Sequence, residues 1–228
     1  MRVLCILVFA FVAALSGAAW AQAFAPGFHA LPKGARVALM PSDIELYSIS
    51  AGGIPEPKAD WTEAAQRNFK QALMNKKDSL GISVVEVPGA AVDELTEFNA
   101  VETAVARAIV VHYLGPSHLP TKRGNLDWSL GDAAQVAKKA TGADYALYTW
   151  IRDSYATAER QATIVAIAVL TGVGMQGGVQ AGYASLVDLN TGQVLWFNRI
   201  QRATGDLREP DKARETLDVL LDKFPAAK

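Results

Sequence analysis

Five charged side chains in the carboxyl-terminal half of the chain have the types and spacing to bind a polar ligand. They are Arg152, Asp153, Arg160, Asp206 and Arg208. Arginine presents a fixed fork of donors to carboxylate or phosphate groups, and aspartate accepts hydrogen bonds from hydroxyls and amides. Adjacent arginine and aspartate residues also form ordinary ion pairs in loops. We therefore predict these five residues as contacts for a ligand or a partner, and we predict no catalytic residue.

The sequence has no motif typical of metal, cofactor or nucleophile chemistry. Its three histidines, at 29, 112 and 118, lack metal-ligand spacing. The nucleophile elbow G-x-S-x-G is absent. The glycine-rich stretch 172–178 lacks the Lys-Ser/Thr ending of a phosphate loop, and it precedes a predicted strand instead of opening a helix. We predict neither a metal nor a cofactor.

The amino terminus has the pattern of an export signal. Arg2 is followed by an apolar run over 3–15 and by small residues at Ala19 and Ala21. This predicts a signal peptide over 1–21, cleaved after Ala21, and a periplasmic protein that is free or associated with the membrane. An uncleaved anchor is the alternative, but the run is short of the roughly 20 apolar residues that a membrane span needs.

The single cysteine, Cys5, lies within this segment. The processed chain would therefore have no disulfide, no thiolate and no lipid-bearing cysteine at its amino terminus. Removal of Arg2 with this segment changes the formal charge from −1 for the whole chain to −2 for the processed chain. Binding to nucleic acid depends on clustered cations, so nucleic acid is not an expected partner.

Hydrophobic periodicity after residue 34 predicts one α/β domain over 35–228, preceded by an extended leader over 22–34. Prolines and glycines exclude a regular element over 50–58, and Asp60 with Glu63 predicts a capping box. The fold class is a layered α/β sandwich with a mixed sheet, helices packed on it, and a carboxyl-terminal β-hairpin plus helix. Strands are predicted over 35–40, 44–49, 82–87, 144–152, 180–189 and 193–202, and helices over about 60–76, 92–114, 131–141 and 211–224.

An uncharged apolar insert at about 163–178 separates two of these strands. Three interpretations remain open: a buried core helix, a surface helix that docks on a membrane or a partner, and one arm of a membrane-inserting β-hairpin. Periodicity does not separate helix from strand in so short a run. If the insert is an interaction surface, its predicted contact residues are Ile164, Ile167, Leu170 and Met175.

Two motifs in the carboxyl-terminal half resemble a known family. The first is a strand start at Gly142, Ala143, Asp144 and Tyr145, and the second is a hairpin with Leu186, Val187, Asp188, Thr191, Gly192, Val194, Leu195 and Trp196. Together they resemble the bacterial envelope superfamily of the curli secretion subunit, the TolB amino-terminal domain and related periplasmic lipoproteins. The resemblance is closest over 142–200. It implies an α/β sandwich that acts in assembly, secretion or transport through protein contacts.

Two functions are consistent with these observations. The first is a non-enzymatic periplasmic accessory protein whose partners are envelope proteins, the membrane surface or further copies of the chain. The alternative is a small-molecule-binding protein or hydrolase that uses the loops 115–127 and 205–210. In that case His118, Lys122 and Arg123 would converge with Asp206 or Arg208 in one pocket.

Overall fold

The computed structural model describes residues 21–226, which form an eight-stranded mixed sheet and five helices. The predicted signal peptide lies almost entirely outside these residues. The strands are β1 (Ala21–Phe24), β2 (Arg36–Leu39), β3 (Asp43–Ile49), β4 (Pro55–Pro57), β5 (Ser83–Glu86), β6 (Tyr145–Ala156), β7 (Gln180–Asp188) and β8 (Val194–Arg202). The helices are α1 (Ala59–Lys76), α2 (Thr96–His112), α3 (Ala134–Thr141), α4 (Ala158–Thr171) and α5 (Pro210–Leu220).

The twelve-residue strand β6 is the centre of the sheet. On one side it pairs antiparallel with β7, which pairs with β8, and β8 pairs with the short edge strand β1. On its other side β6 pairs in parallel with β2 along its first residues and with β3 along its last ones. The long central strand therefore carries side chains to both ends of the sheet.

Helices cover both faces of the sheet, as the alternation of its side chains requires. On one face α1 and α5 pack against Leu147 and Ile151 of β6. On the other face α2 and α3 pack against Ala146 and Tyr148. The layered α/β class with a mixed sheet and a carboxyl-terminal hairpin plus helix is confirmed.

The turn between β7 and β8 shows why the hairpin was predictable. Gly192 adopts a φ of +73°, and a Cβ there would lie 2.5 Å from the carbonyl oxygen of Gly131. Only glycine combines this left-handed backbone with so close an approach. The Asn190-Thr191-Gly192 signal therefore specifies both the turn and its packing.

Two local predictions are corrected by the structure. The helix α1 begins at Ala59, and its cap residue Lys58 makes no side-chain capping bond, so the Asp60 capping box is wrong. Pro55–Pro57 forms a short strand beside β3, because an edge strand tolerates prolines whose missing N–H groups would face solvent. The first residues of the predicted extended leader form part of β1, which pairs with β8.

The apolar insert is a helix, but it is not a core helix. The helix α4 begins at Ala158, five residues before the predicted start of the insert, and none of its residues is buried. The side chain of Thr157 caps it by accepting from the N–H of Arg160 over 3.3 Å. At the other end Gly172 adopts a φ of +72° and ends the helix. The buried-helix interpretation and the strand interpretation are therefore both wrong.

Candidate functional site

A cleft of about 350 Å³ opens at the end of the sheet where β6 and β8 finish and β7 begins. We call it the Asp153 cleft. Its lining combines aromatic, glycine and polar residues, and three of the five predicted contact residues lie in it or beside it. The lining comprises Trp61, Asp153, Ser154, Tyr155, Ala156, Gln161, Gly177, Gly178, Val179, Gln180, Ala203, Thr204, Gly205 and Arg208.

Asp153 lines the cleft, and the residue is only 2% exposed. Its Oδ2 accepts hydrogen bonds from the hydroxyl of Tyr155 over 2.5 Å and from the side-chain amide of Gln180 over 2.7 Å. Burial raises the pKa of this carboxyl above its ordinary value, although both hydrogen bonds act in the opposite direction. Asp153 is thus a buried acid whose Oδ2 accepts two hydrogen bonds from within the protein.

The network continues from Gln180 to the helix α5. The Oε1 of Gln180 accepts from Nε of Arg202 over 2.8 Å and from the hydroxyl of Thr216 over 3.2 Å. Arg202 also donates to Thr216 over 2.7 Å and to Glu215 over 3.2 Å. This chain of bonds fixes the Gln180 amide in the orientation that donates to Asp153.

Arg208 forms the opposite wall of the cleft. Its guanidinium donates two bonds to Asp206, with Nε 2.8 Å from Oδ1 and Nη2 2.6 Å from Oδ2. The same group lies over the rings of Tyr155 at 3.9 Å and Trp61 at 4.6 Å. Partial burial raises the pKa of Asp206, but the bonds from Arg208 outweigh it and hold that pKa below its ordinary value. Arg208 is therefore a clamped cation with one face on aromatic rings.

Two glycines let the backbone close around these groups. A Cβ on Gly178 would lie 1.9 Å from the carbonyl oxygen of Ser154, so the chain returning from α4 touches β6 directly. Gly205 has a φ of +121°, and a Cβ there would lie 2.7 Å from Nε2 of Gln180. Larger residues at either position would displace the backbone or the Asp153 network.

The two remaining predicted residues lie elsewhere. Arg152 neighbours Asp153 in β6, so its side chain emerges on the opposite face of the sheet. There it pairs with Asp43 at 2.8 Å and Glu45 at 3.3 Å, and its guanidinium lies 4.7 Å from the ring centre of Trp150. Arg160 lies on the first turn of α4, and a Cβ on Gly53 would approach its Nη1 to 3.2 Å. Neither arginine lines the cleft.

The sequence did not identify Trp61, Tyr155 or Gln180, which complete the cleft. A partial signal was present, since Tyr155 follows Asp153 by two residues in a strand and must share its face. Gln180 could not be identified in the same way. Its place opposite Asp153 depends on the register of β6 and β7, which are separated by α4.

The loop 115–127 lies at the other end of the sheet. The residues that follow it pair with the β7–β8 turn, since Leu130 donates to Gly192 and Val194 donates to Trp128. Lys122 lies over the ring of Trp128 at 5.0 Å. The length of β7 therefore separates this loop from Asp206 and Arg208. The predicted pocket that combines His118, Lys122 and Arg123 with residues 205–210 is wrong.

The second notable surface is α4 with the loop that follows it, residues 158–179, which we call the apolar segment. Val169 is 80% exposed and Leu170 is 84% exposed. Of the predicted contact residues here, Leu170 and Met175 are exposed, whereas Ile164 and Ile167 are half-buried. Among residues 21–226, no helix combines the length and apolar character that a bilayer span needs. The segment presents apolar side chains to solvent over most of its length.

The cleft lining carries side-chain and backbone groups that can form hydrogen bonds with a polar molecule. Within the described part of the chain, no three His, Cys, Asp or Glu side chains gather as metal ligands would. The hydroxyl of Ser154 donates to the carbonyl of Val179 and accepts from its N–H, so its hydrogen bonds are made within the protein. The guanidinium of Arg208 has donors beyond the two that bond Asp206, and with the ring of Trp61 it lines the cleft.

Comparison with known proteins gives structural likenesses at low identity. The PelC dodecamer of Paraburkholderia phytofirmans is 16% identical, with 93% of this chain and 100% of that chain covered and a TM-score of 0.41. The lipoprotein GNA1162 of Neisseria meningitidis is 15% identical, with coverages of 80% and 90% and a TM-score of 0.33. The carboxyl-terminal domain of LpoB from Salmonella enterica is 14% identical, with coverages of 78% and 87% and a TM-score of 0.30. No protein-family model and no curated protein matches the chain.

Proposed function

We propose that this chain is a non-enzymatic accessory protein of the bacterial envelope, exported to the periplasm, that acts in assembly, secretion or transport through contacts of its apolar segment. The observation that carries the proposal is the exposure of α4, none of whose residues is buried. A helix that is apolar on all sides is normally enclosed by other groups. An exposed apolar patch marks a surface for interaction.

Two sequence features support the envelope part of this proposal. The amino-terminal pattern over 1–21 is that of an export signal, and the motifs over 142–200 resemble an envelope superfamily. The protein partners expected are therefore other envelope proteins or further copies of the chain. From Gln161 to Val179 the segment has no charged residue, so it suits a partner with an apolar surface.

Site-specific crosslinking tests the proposal, because the processed chain has no cysteine and any introduced thiol is unique. Val169→Cys would carry a photoreactive thiol probe on α4. Val136→Cys is the matched control, since Val136 is also exposed on a helix, α3, away from this segment. We expect specific adducts in intact envelopes from Val169→Cys alone. Identical adduct patterns from both positions would contradict the proposal.

The Asp153 cleft supports a second function, the binding of a small polar molecule in the periplasm. The specific observation is its volume of about 350 Å³ beside a buried carboxyl and an aromatic-backed arginine. A thermal-shift screen of sugars, amino acids and small anions tests it. Stabilisation by one compound that disappears in Trp61→Ala would support this function, and no stabilisation by any compound would count against it.

A further inference from the structure

A second cavity, of about 280 Å³, lies between the flank of α2 and the sheet face formed by β6 and β7. We call it the Trp150 groove. It belongs neither to the Asp153 cleft nor to the apolar segment. Small-molecule sites are mostly apolar cavities of roughly 300–1,000 Å³ with a few polar groups, and the groove comes close to that description. Its lining comprises Thr103, Arg107, Val110, Val111, Trp150 and Tyr183.

Two aromatic rings form the floor of the groove. Trp150 and Tyr183 are register partners in neighbouring strands, so their side chains emerge side by side on one face of the sheet. Their rings are almost parallel, with 12° between the planes and 5.6 Å between the centres. Tyr183 is buried, whereas Trp150 is half-buried and keeps surface that a ligand can cover. The floor therefore offers aromatic contact area to an apolar molecule.

Arg107 brings a positive charge to this apolar cavity. It lies on α2 and is exposed, and its side chain makes no ion pair or hydrogen bond within residues 21–226. Of the six described residues that line the groove, Arg107 alone is charged. A guanidinium presents its donors in a planar fork, so it can bind a carboxylate through two parallel bonds. An anion-binding group is therefore free beside the aromatic floor.

Arg199 adds a second positive charge near the floor. It is the register partner of Tyr183 in β8, so its side chain emerges on the same face of the sheet. Its Nη2 donates to the side-chain carbonyl of Gln201, and no carboxylate pairs with it in the described part of the chain. Arg199 also lines a neighbouring cavity of about 310 Å³. The side of the groove toward β8 therefore has a cation that no acid balances.

The acids near the groove do not cancel these two charges. Asp43 and Glu45 both pair with Arg152, at 2.8 Å and 3.3 Å, so these three side chains together carry one negative charge. Glu102 is buried and accepts a hydrogen bond from the tyrosine hydroxyl of the floor. Burial raises the pKa of Glu102 to about 7, so at pH 6 most of this carboxyl is protonated and uncharged. The surroundings of the groove therefore retain a net positive charge at that pH.

We propose that the Trp150 groove binds a small aromatic carboxylate, with its ring on Trp150 and Tyr183 and its carboxylate on Arg107. Contact with the floor favours any flat apolar molecule, because apolar surface is removed from water. The arginine then selects the anion, because charge-assisted hydrogen bonds are stronger than neutral ones. This site is separate from the surfaces used by the two proposed functions, and it depends on neither of them.

Isothermal titration with 2-naphthoate and its neutral amide, 2-naphthamide, tests the proposal. The two probes share one ring system and differ in charge. At pH 6 we expect 2-naphthoate to bind at least about tenfold more tightly, because only it forms a charged pair with Arg107. Arg107→Gln should weaken 2-naphthoate at least about tenfold and leave 2-naphthamide unchanged. Arg67→Gln, at an exposed position on α1, is the matched control and should keep the parental preference.

Two further variants test the position of the ligand. Trp150→Leu should weaken both probes at least about threefold, because the floor loses ring area. Its thermal midpoint shows whether the fold is retained. Val111→Asp places a carboxylate at a position that is 48% exposed and lines the groove. It should weaken 2-naphthoate alone, because like charges repel.

Several outcomes would overturn the proposal. Equal affinity for the two probes, or no binding of either at millimolar concentration, would exclude a site for an aromatic anion. A preference for 2-naphthoate that persists in Arg107→Gln would place the carboxylate elsewhere. Loss of binding in Trp61→Ala, with Trp150→Leu unaffected, would assign the anion to the Asp153 cleft. The adducts expected from Val169→Cys depend on none of these results, so the proposed function and this site can fail separately.

Discussion

The side-chain amide of Gln180 donates to the carboxyl of Asp153 over 2.7 Å and joins β7 to β6 in the lining of the cleft. The two residues are also register partners in the sheet. The bond therefore secures the point at which the chain re-enters the sheet after the apolar segment. It links the two surfaces for which a role is proposed.

Asp153→Ala should destabilise the protein by about 1–3 kcal/mol, because the amide of Gln180 and the hydroxyl of Tyr155 lose their acceptor. Chemical denaturation at neutral pH measures this change. The control is Asp127→Ala, whose carboxyl is exposed and lies 4.0 Å from Lys122. It should change the free energy of unfolding by less than about 0.5 kcal/mol. Equal effects of the two variants would show that the Asp153 network does not stabilise the fold.

Arg208→Lys should cost about 1–2 kcal/mol, because lysine cannot donate the two parallel bonds that Arg208 makes to Asp206. A double-mutant cycle with Asp206→Asn measures the coupling between the two side chains. We expect Asp206→Asn to cost less in the lysine background than in the parent. Additive effects would show that the pair is not coupled.

The buried carboxyl of Glu102 should make stability fall as the pH rises. Glu102 is 3% exposed and accepts from the hydroxyl of Tyr183 over 3.1 Å, and its burial raises its pKa to about 7. At a pH below 4.5, the pKa of this carboxyl in the unfolded state, the group is protonated in both the folded and the unfolded state. Its contribution to stability is therefore fully present there. As the pH rises from 4.5 through 7, only the unfolded state releases the proton readily. The free energy of unfolding therefore falls by up to about 3 kcal/mol.

Urea denaturation between pH 5 and pH 8 measures this effect. Glu102→Gln should flatten the profile and be more stable than the parent at pH 8, since a neutral amide avoids the buried charge. Glu97→Gln, at an exposed position on the same helix, should keep the parental slope. The raised pKa of Asp153 contributes a slope of the same sign in all three proteins. A parental slope in Glu102→Gln would refute this assignment.

Gly178→Ala should destabilise the protein by about 1–3 kcal/mol, because the added methyl group would lie 1.9 Å from the carbonyl oxygen of Ser154. Gly174→Ala is the matched control in the same loop. A Cβ at Gly174 meets nothing within 4 Å, and the residue is not among the positive-φ glycines. Its thermal midpoint should equal or slightly exceed that of the parent. Similar losses in both variants would mean that the close approach is not maintained in solution.

Thr157→Ala should loosen α4 without unfolding the domain. The hydroxyl of Thr157 accepts from the N–H of Arg160, and loss of such a cap costs about 1 kcal/mol. Because α4 has no buried residue, it should open locally, and its amides should exchange about fivefold faster while those of α5 do not change. Thr171→Ala, at the other end of α4, removes the bonds of its hydroxyl to Ile167 and Val173 but leaves the amino-terminal cap, and it should have a smaller effect. Exchange that rises equally in α4 and α5 would show global instead of local opening.

The sequence predicted well the features that depend on neighbouring residues. The β7–β8 turn follows from Gly192, whose left-handed backbone is a local property. The predicted start of α1 was wrong. The helix begins at Ala59, directly after the strand β4 that pairs with β3, and the capping pattern at Asp60 contains no information about that pairing. The exposure of α4 was also not predictable, since the same apolar residues would suit a buried helix.

The candidate site was predicted in part for the same reason. Asp206 and Arg208 are two residues apart, so their pairing is a local feature. The approach of Arg208 to Tyr155 depends on where the chain passes after β8, and the contact of Gln180 with Asp153 depends on strand register. Arg152 could have been excluded from the cleft, because consecutive strand residues face opposite ways.

The pairing of β1 with β8 has a consequence for self-association. Among the described residues β1 pairs only with residues 196–199 of β8, so residues 200–202 at the end of β8 have no described pairing strand on that side. Such an open edge is a template for addition of a strand from another molecule, and charged side chains on it discourage that addition. Arg199 and Arg202 stand at the two ends of this edge. The end of β8 is therefore a strand edge whose two flanking arginines act as gatekeepers against aggregation.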